Sequence, residues 1–331
     1  MPCISIIMPA YNAGKYIQTA IESIISQTYK DWELIICDDR STDNTTKIVE
    51  TFCVNDKRIK LIKRDENSGA ARLPRREAAL AATGYFIMTF DADDFLDNNY
   101  VEKMHNRIKD TGADIVLSRL SFCDKTGKEQ NRFLPTKDFD YSVVINGKEA
   151  VKRTLGKLSI SLSGLLINKD IYIANILCAE DSTNCCSYAD EIDQRKLLML
   201  CKNVAFVNTN YYYRQQPNSL MHNTNAKRYD FLTSLENIYN FAKENFTEEE
   251  VFNKLDNEFL TNLLFCQRDY YLYNHNKLKE AKEILERLKS AYSFAKAEKM
   301  SACNLKQKIC MLSFPIFQTI SYIYSIFLKN K

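Results

Sequence analysis

The sequence predicts an α/β protein, a doubly wound and mostly parallel sheet followed by an all-helical extension. Short apolar runs alternate with amphipathic stretches from Cys3 to Leu117, as in a parallel sheet with helices on both faces. The apolar runs are continuous rather than alternating, the mark of strands buried on both sides. After about Ala226 the strand signals stop, and segments 227–245, 248–274 and 277–291 all read as helices.

Cys3 to Met8 is the first strand, closed by Pro9-Ala10-Tyr11-Asn12 and the turn Ala13-Gly14. Ile17, Ala20, Ile21, Ile24 and Ile25 then recur at helical spacing. Trp32 to Cys37 is a second strand ending in Asp38-Asp39, and Ser41-Thr42-Asp43 offers N-cap residues to a helix carrying Ile48, Val49 and Phe52. Ile59 to Ile62 is a third strand. Asn67-Ser68-Gly69 breaks it, Pro74 suits the first turn of a helix, and Gly84 is expected to close that helix. Tyr85 to Phe90 is the central strand. A helix from about Asn98 to Asp110 and a strand from Asp114 to Leu117 complete the alternation.

The middle is less regular. Phe122 to Phe139 is polar and reads as a long loop or hairpin near a site, Ile160 to Asn168 as a strand, and Tyr188 to Leu200 as an amphipathic helix. Val204 to Val207 and Tyr211 to Tyr213 read as two short strands. In the extension, Leu255, Phe259, Asn262, Leu263 and Cys266 form one helical stripe, and Leu278, Ala281, Ile284, Leu285 and Leu288 another. The expected division is 1–225, itself split into halves 1–117 and 118–225, and then 226–331.

Composition narrows the function. With 331 residues, 45% hydrophobic and 26% charged, the chain can bury a substantial core. A formal net charge of +3 gives no electrostatic footprint for nucleic acid. The amino terminus lacks a basic n-region and a small-residue cleavage site, so no signal peptide is expected. The 11 cysteines include no Cys-x-x-Cys pair, and free thiols in a reducing cytosol are expected. Cys185-Cys186 has too few ligands nearby for a metal site.

The chemistry gathers after the central strand, where Tyr85 to Phe90 runs into Asp91-Ala92-Asp93-Asp94. Ligands of open α/β sheets bind outside the carboxyl ends of strands. Acids there can cage a hard divalent cation and leave positions for phosphate oxygens. A calcium loop is rejected: Asp91, Asp93 and Glu102 fit its positions 1, 3 and 12, but Phe95 and Leu96 stand where a ligand and a glycine are needed. The structural alternative is an acidic turn that caps the next helix.

Pro9-Ala10-Tyr11-Asn12, Asp38-Asp39-Arg40-Ser41-Thr42-Asp43 and Asp91-Ala92-Asp93-Asp94, in this order on consecutive units, resemble family 2 glycosyltransferases. The resemblance covers roughly residues 3–120 and returns at Tyr188-Ala189-Asp190-Glu191, Tyr211-Tyr212-Tyr213-Arg214-Gln215 and Asn218-Ser219-Leu220. It implies the GT-A fold, which is Rossmann-like, and inverting transfer of a hexosyl group from a nucleotide sugar, usually of UDP, with manganese or magnesium. The implied acceptor is a hydroxyl of a glycan or lipid-linked molecule in surface polysaccharide synthesis.

The resemblance also implies roles. Pro9, Tyr11, Asp38, Asp39, Arg72, Arg75, Asp91 and Asp93 fall in the nucleotide site, and Asp93 and Asp94 hold the metal. Tyr11 can offer a ring face to the base. Asp39 would accept from the uracil ring N–H, with Asp38 beside it. His222, in the late loop, is expected to complete the metal shell. At the arginine segment, Asn67 to Glu77, the chain departs from the family pattern by one inserted residue; Arg75 falls at the family's arginine, and Arg72, Arg75 and Arg76 compete to steady the diphosphate or one of the site acids. The family's Glu-Asp pair is here Asp190-Glu191. Glu191 aligns with the general base, and Asp190 serves after a small register change. Glu180-Asp181 is a decoy, because no comparable helix follows it directly.

A nucleotidyltransferase or dinucleotide dehydrogenase would need a glycine-rich loop after the first strand, where only Gly14 stands. The non-enzymatic rival is a degenerate relative that binds nucleotide sugar or scaffolds a glycan assembly complex. Finally, Ile309 to Leu328 has no charged residue and is flanked by Lys306, Lys308, Lys329 and Lys331. This pattern predicts an interfacial segment, and hence a cytoplasmic protein held peripherally on the inner face of the cell membrane; the structural alternative is that these residues pack the last helix onto the helical extension.

Overall fold

The computed structural model describes residues 3–135, 139–155, 161–178, 189–215, 229–274, 278–301, 304, 307–308, 311 and 313–329. They form two compact units. One comprises 1–154, 158–181 and 193–216, and the other 155–157, 182–192 and 217–331.

The first unit is built on β1 (Ile4–Ala10), β2 (Trp32–Asp38), β3 (Ile59–Lys63) and β4 (Phe86–Thr89). Every residue of β1 and β2 is buried, which requires cover on both faces. Helix α1 (Ile17–Ile25) buries the expected Ile17, Ala20, Ile21 and Ile24. Helix α2 (Thr45–Asn55) buries Thr45 and Val49, and α3 (Arg72–Leu80) buries Pro74, Ala78 and Ala79. Pro74 sits in the first turn of α3, where its missing N–H leaves no helical bond unmade. Gly84 does not close that helix, which ends on Ala81 in an ordinary αR conformation. The glycine is needed for room instead: a Cβ there would lie 2.8 Å from the Ser5 nitrogen.

After β5 (Phe95–Leu96) and α4 (Tyr100–Thr111), Gly112 supplies the left-handed cap at φ 60°. β6 (Ile115–Cys123) is longer than expected and forms a hairpin with β7 (Glu129–Leu134) inside the stretch anticipated as a loop or hairpin. β8 (Val144–Ile145), α5 (Gly147–Lys152), β9 (Leu166–Asn168), α6 (Lys169–Cys178) and α7 (Ala189–Leu200) follow. β10 (Val204–Arg214) merges the two short strands into one, with a register shift between Phe206 and Asn210.

The strands lie in the order β3-β2-β1-β4-β9-β6-β10-β5. β3, β2, β1 and β4 are parallel, as are β6 and β10, while the short β9 runs antiparallel between β4 and β6. The chain moves outward from β1 to β2 and β3, then returns to the other side of β1 with β4. That reversal opens a crevice at the carboxyl ends of β1 and β4.

The second unit contains α8 (Asp230–Asn245), α9 (Glu249–Asp269), a π-helical turn (Tyr270–Asn274), α10 (Leu278–Ala297) and α11 (Phe314–Lys329). Leu255, Phe259, Leu263 and Cys266 of the expected α9 stripe are buried, as are Ala281, Ile284 and Leu288 of α10. Phe317 of α11 is buried and stacks on Tyr292.

Candidate active site

Two loops frame the crevice beside β1. Asn12, at φ 47°, accepts from the Thr42 nitrogen through Oδ1 (2.8 Å), and its own nitrogen donates to Ser41 Oγ (2.9 Å). The Ala13 nitrogen donates to Thr45 Oγ1 and the Gly14 nitrogen to Asp43 Oδ2. Burial resists the charge of Asp43, but hydrogen bonds from the Thr45 hydroxyl and nitrogen and from the Gly14 nitrogen hold its carboxyl below the usual range. Pro9 is buried in β1 in register with Cys37 of β2, and Tyr11 stands half-exposed on the rim. An exposed ring at this point can meet a planar base.

Asp38 and Asp39 end β2 and are both almost fully buried. Asp38 Oδ2 accepts from the Ser41 nitrogen at 3.0 Å, while its Oδ1 has no hydrogen-bond partner among the described residues. Asp39 accepts from the Arg64 guanidinium, from the Ser68 nitrogen and from Ser68 Oγ at 2.8 Å. Arg64 also reaches Glu77 Oε1 at 2.9 Å. The sequence reading missed Arg64. Its only signal was a cation placed just past the third strand's carboxyl end.

The three acids after β4 separate into two kinds. Asp91 is about a third exposed and pairs with Arg75 Nη2 at 3.1 Å. Asp93 is half-buried, and its carbonyl accepts from Arg214 Nε at 2.9 Å. Asp94 is fully buried: Oδ2 accepts from the Tyr211 hydroxyl at 2.7 Å and Oδ1 from the Arg214 nitrogen at 2.8 Å. Burial, then the charges of Asp93 and Asp91, raise its carboxyl well above the carboxylate range. Both oxygens of Asp94 accept from β10 inside the core, so a metal there, as the resemblance implies, would share them with the Tyr211 and Arg214 donors. Arg214, which no role was assigned from sequence, ties β10 to this turn and lies 5.1 Å from the Tyr16 ring centre and 5.2 Å from that of Phe95.

Among the described residues no group of three or more His, Cys, Asp or Glu side chains could by itself hold a metal ion. The carboxylates of this turn fit manganese or magnesium, since such ions take one or two carboxylates and complete their shell with substrate phosphates and water. His222 lies outside the described residues.

Of the competing arginines, Arg72 pairs with Asp193 of α7, with Nε 2.8 Å from Oδ2, and Arg75 pairs with Asp91. Burial lifts the Asp193 carboxyl against the pull of Arg72. Tyr172 of α6 is buried, which pushes its hydroxyl up to about 12; the charges of Arg75, Asp91 and Asp193 all act on it. Neither Tyr172 nor Asp193 was singled out from sequence. Glu191 lies in the first turn of α7, partly exposed, and Asp190 precedes it in the same helix.

This arrangement, acids and arginines at the carboxyl ends of strands around a topological switch point, is that of an α/β fold that binds its ligand there. The model of glycosyl transferase family 2 matches residues 5–172, about half of the chain, and the chain belongs to that family. It is a glycosyltransferase. Glycosyltransferase GlyG of Streptococcus pneumoniae is 28% identical over 220 residues, covering 66% of this chain and 72% of that protein. The Escherichia coli protein named UDP-Glc:alpha-D-GlcNAc-diphosphoundecaprenol beta-1,3-glucosyltransferase WfgD is 46% identical over 99 residues, 30% of this chain and 38% of that one. The solved structure of Staphylococcus aureus TarS 1–349 with UDP-GlcNAc superposes with a TM-score of 0.64 at 19% identity, covering 96% of this chain and 89% of that one. The fold is accordingly GT-A. Against the longer TarS structure the chain spans only 54% of the length.

Proposed function

We propose that this glycosyltransferase moves a hexosyl group, with inversion, from a UDP-sugar to a hydroxyl of a glycan or lipid-linked acceptor in surface polysaccharide synthesis. One observation carries the reading: Arg75 pairs with Asp91 in the acidic turn that follows β4, a turn that also contains Asp93, while the Asp38-Asp39 pair ends β2, on the other side of β1. The names of two relatives support it, since TarS was solved with UDP-GlcNAc and WfgD is named for a UDP-Glc donor and a diphosphoundecaprenol acceptor.

In this reading Tyr11 and Asp39 hold the base. Asp39 is fixed by Arg64 and Ser68. Arg72 and Arg75 face the diphosphate, and Asp91 and Asp93 hold manganese or magnesium. The bound ion would neutralise charge on the departing diphosphate. Glu191, or Asp190 in the alternative register, takes the acceptor proton as the hydroxyl attacks from the face opposite the diphosphate. The proposed division remains 1–225 for catalysis and 226–331 for the extension. No observation favours a non-catalytic scaffold.

Among the described residues no helix is long and apolar enough to cross a membrane. The reading assigns α11 a peripheral contact with the inner face of the cell membrane. Ile316, Tyr322 and Ile323 are exposed on it, opposite the buried Phe317 and Ser321, and lysines flank the segment 309–328.

The test is UDP binding by calorimetry, with manganese and with chelator. Binding should be tighter with manganese, and Asp93→Asn should remove the difference. Equal affinities in the wild type would overturn the metal assignment, and no binding at all would overturn the donor site.

A further inference from the structure

The ion pair between Arg72 and Asp193 joins residues 121 positions apart in the sequence. Arg72 opens α3, and Asp193 lies in α7. The contact engages one edge of the guanidinium, with Nε 2.8 Å from Oδ2 and Nη2 3.5 Å from Oδ1. Both side chains are only about a fifth exposed. Asp193 is itself held at its main chain, where its carbonyl accepts from Nδ2 of the buried Asn175 at 3.2 Å. Three residues along α3, Arg75 engages Asp91 at 3.1 Å. Residues three apart lie on one helix face, so one face of α3 carries both cations. One is held by the acidic turn after β4 and the other by α7.

We propose that Asp193 is a positioning residue: it fixes the Arg72 guanidinium, so that Arg72 and Arg75 form one pre-set cationic face for the donor's diphosphate. The inference rests on the donor-site reading above. An unrestrained arginine loses rotamer entropy when it is ordered on a ligand, and an arginine already held does not. A pair buried to this degree also resists loss of one partner, so a structural role is separated from a positioning role by reading UDP affinity and unfolding side by side. Asp193 also does not stand in for Glu191, because helical residues two apart do not face each other.

The experiment measures UDP affinity with manganese, donor kcat and KM in UDP-sugar hydrolysis, and thermal unfolding, all on the full chain. The variants are Asp193→Asn, Asp193→Glu, Arg72→Ala and the double Arg72→Ala/Asp193→Asn. Asp193→Asn should weaken UDP binding about tenfold and raise donor KM more than it lowers kcat, and the double variant should be no worse than Arg72→Ala. Asp193→Glu, which keeps the charge, should recover part of the loss, and it carries the comparison should the asparagine variant fail to fold. Unchanged UDP affinity in the folded variants, or single losses that add in full, would overturn the inference while leaving the donor site intact. A wild type that binds no UDP would overturn both.

Discussion

The Tyr211 hydroxyl donates to Asp94 Oδ2 at 2.7 Å, and the Asp91 nitrogen donates back to the same hydroxyl at 3.2 Å. One phenol thus clamps both ends of the acidic turn from a strand that follows it by 117 residues. Tyr211→Phe leaves a buried carboxyl without its donor and should cost about 1–3 kcal/mol in urea unfolding. The loosened turn should also weaken manganese-dependent UDP binding. If phenylalanine is tolerated on both counts, the clamp has no role in shaping the site.

Gly164 makes room for that clamp. It sits at φ +69°, its carbonyl accepts from the Tyr100 hydroxyl at 2.6 Å, and an added Cβ would strike the rings of Tyr211 and Tyr100. Overpacking and a strained backbone act together, so Gly164→Ala should destabilise by about 3 kcal/mol or more. A melting temperature equal to the wild type's would contradict this packing.

Glu191→Gln should remove most turnover while leaving UDP affinity nearly unchanged, since a base acts on the acceptor rather than on the nucleotide. If Asp190→Asn does so instead, the register is one residue off. Full activity in both variants would remove α7 from the acceptor site.

Glu33, in β2, is buried. Burial works against its charge, but hydrogen bonds from Lys60 Nζ (2.6 Å), Ser5 Oγ (2.6 Å) and Thr83 outweigh it and bring its carboxyl down to about 2. A folded-state value below the unfolded one means stability that is present above the ordinary glutamate range and lost as pH falls through the folded value. Stability should therefore decline between about pH 4.5 and 2. Glu33→Gln should cost about 2–4 kcal/mol at neutral pH and flatten that decline. Denaturant melts across the acid range measure both.

Ile316 and Ile323 are 41% and 48% exposed, so replacing both with aspartate should leave folding within about 0.5 kcal/mol of wild type. The wild type should sediment with anionic vesicles and the double variant should not. Equal sedimentation of the two, or none by either, would remove the membrane contact from α11.

Elements with a strong local period were legible from the sequence. The continuous apolar runs of β1 and β2, the 3.6-residue spacing of α1 and the stripes of α9 and α10 each record burial in a few neighbouring residues. The acids placed where strands end were visible for the same reason. Less was legible where burial is decided by distant partners. β10 was read as two strands because its register shift breaks the apolar pattern, although both parts pair with β6. Gly84 looked like a helix cap, because sequence does not show that Ser5 lies against it.

The sequence by itself determined the alternating α/β order, the helical extension and the chemistry at the carboxyl ends of β1, β2 and β4, since all three depend on residue type and spacing along the chain. Only the tertiary structure decided what each charged group does there. Asp94 turns inward because Tyr211 and Arg214 arrive from β10, Arg72 is held because α7 brings Asp193 to it, and Asp39 is fixed by Arg64 and Ser68. A carboxylate or guanidinium has the same composition whether it meets solvent, metal or a buried partner. Its role is set by the neighbours that long-range strand and helix pairing delivers.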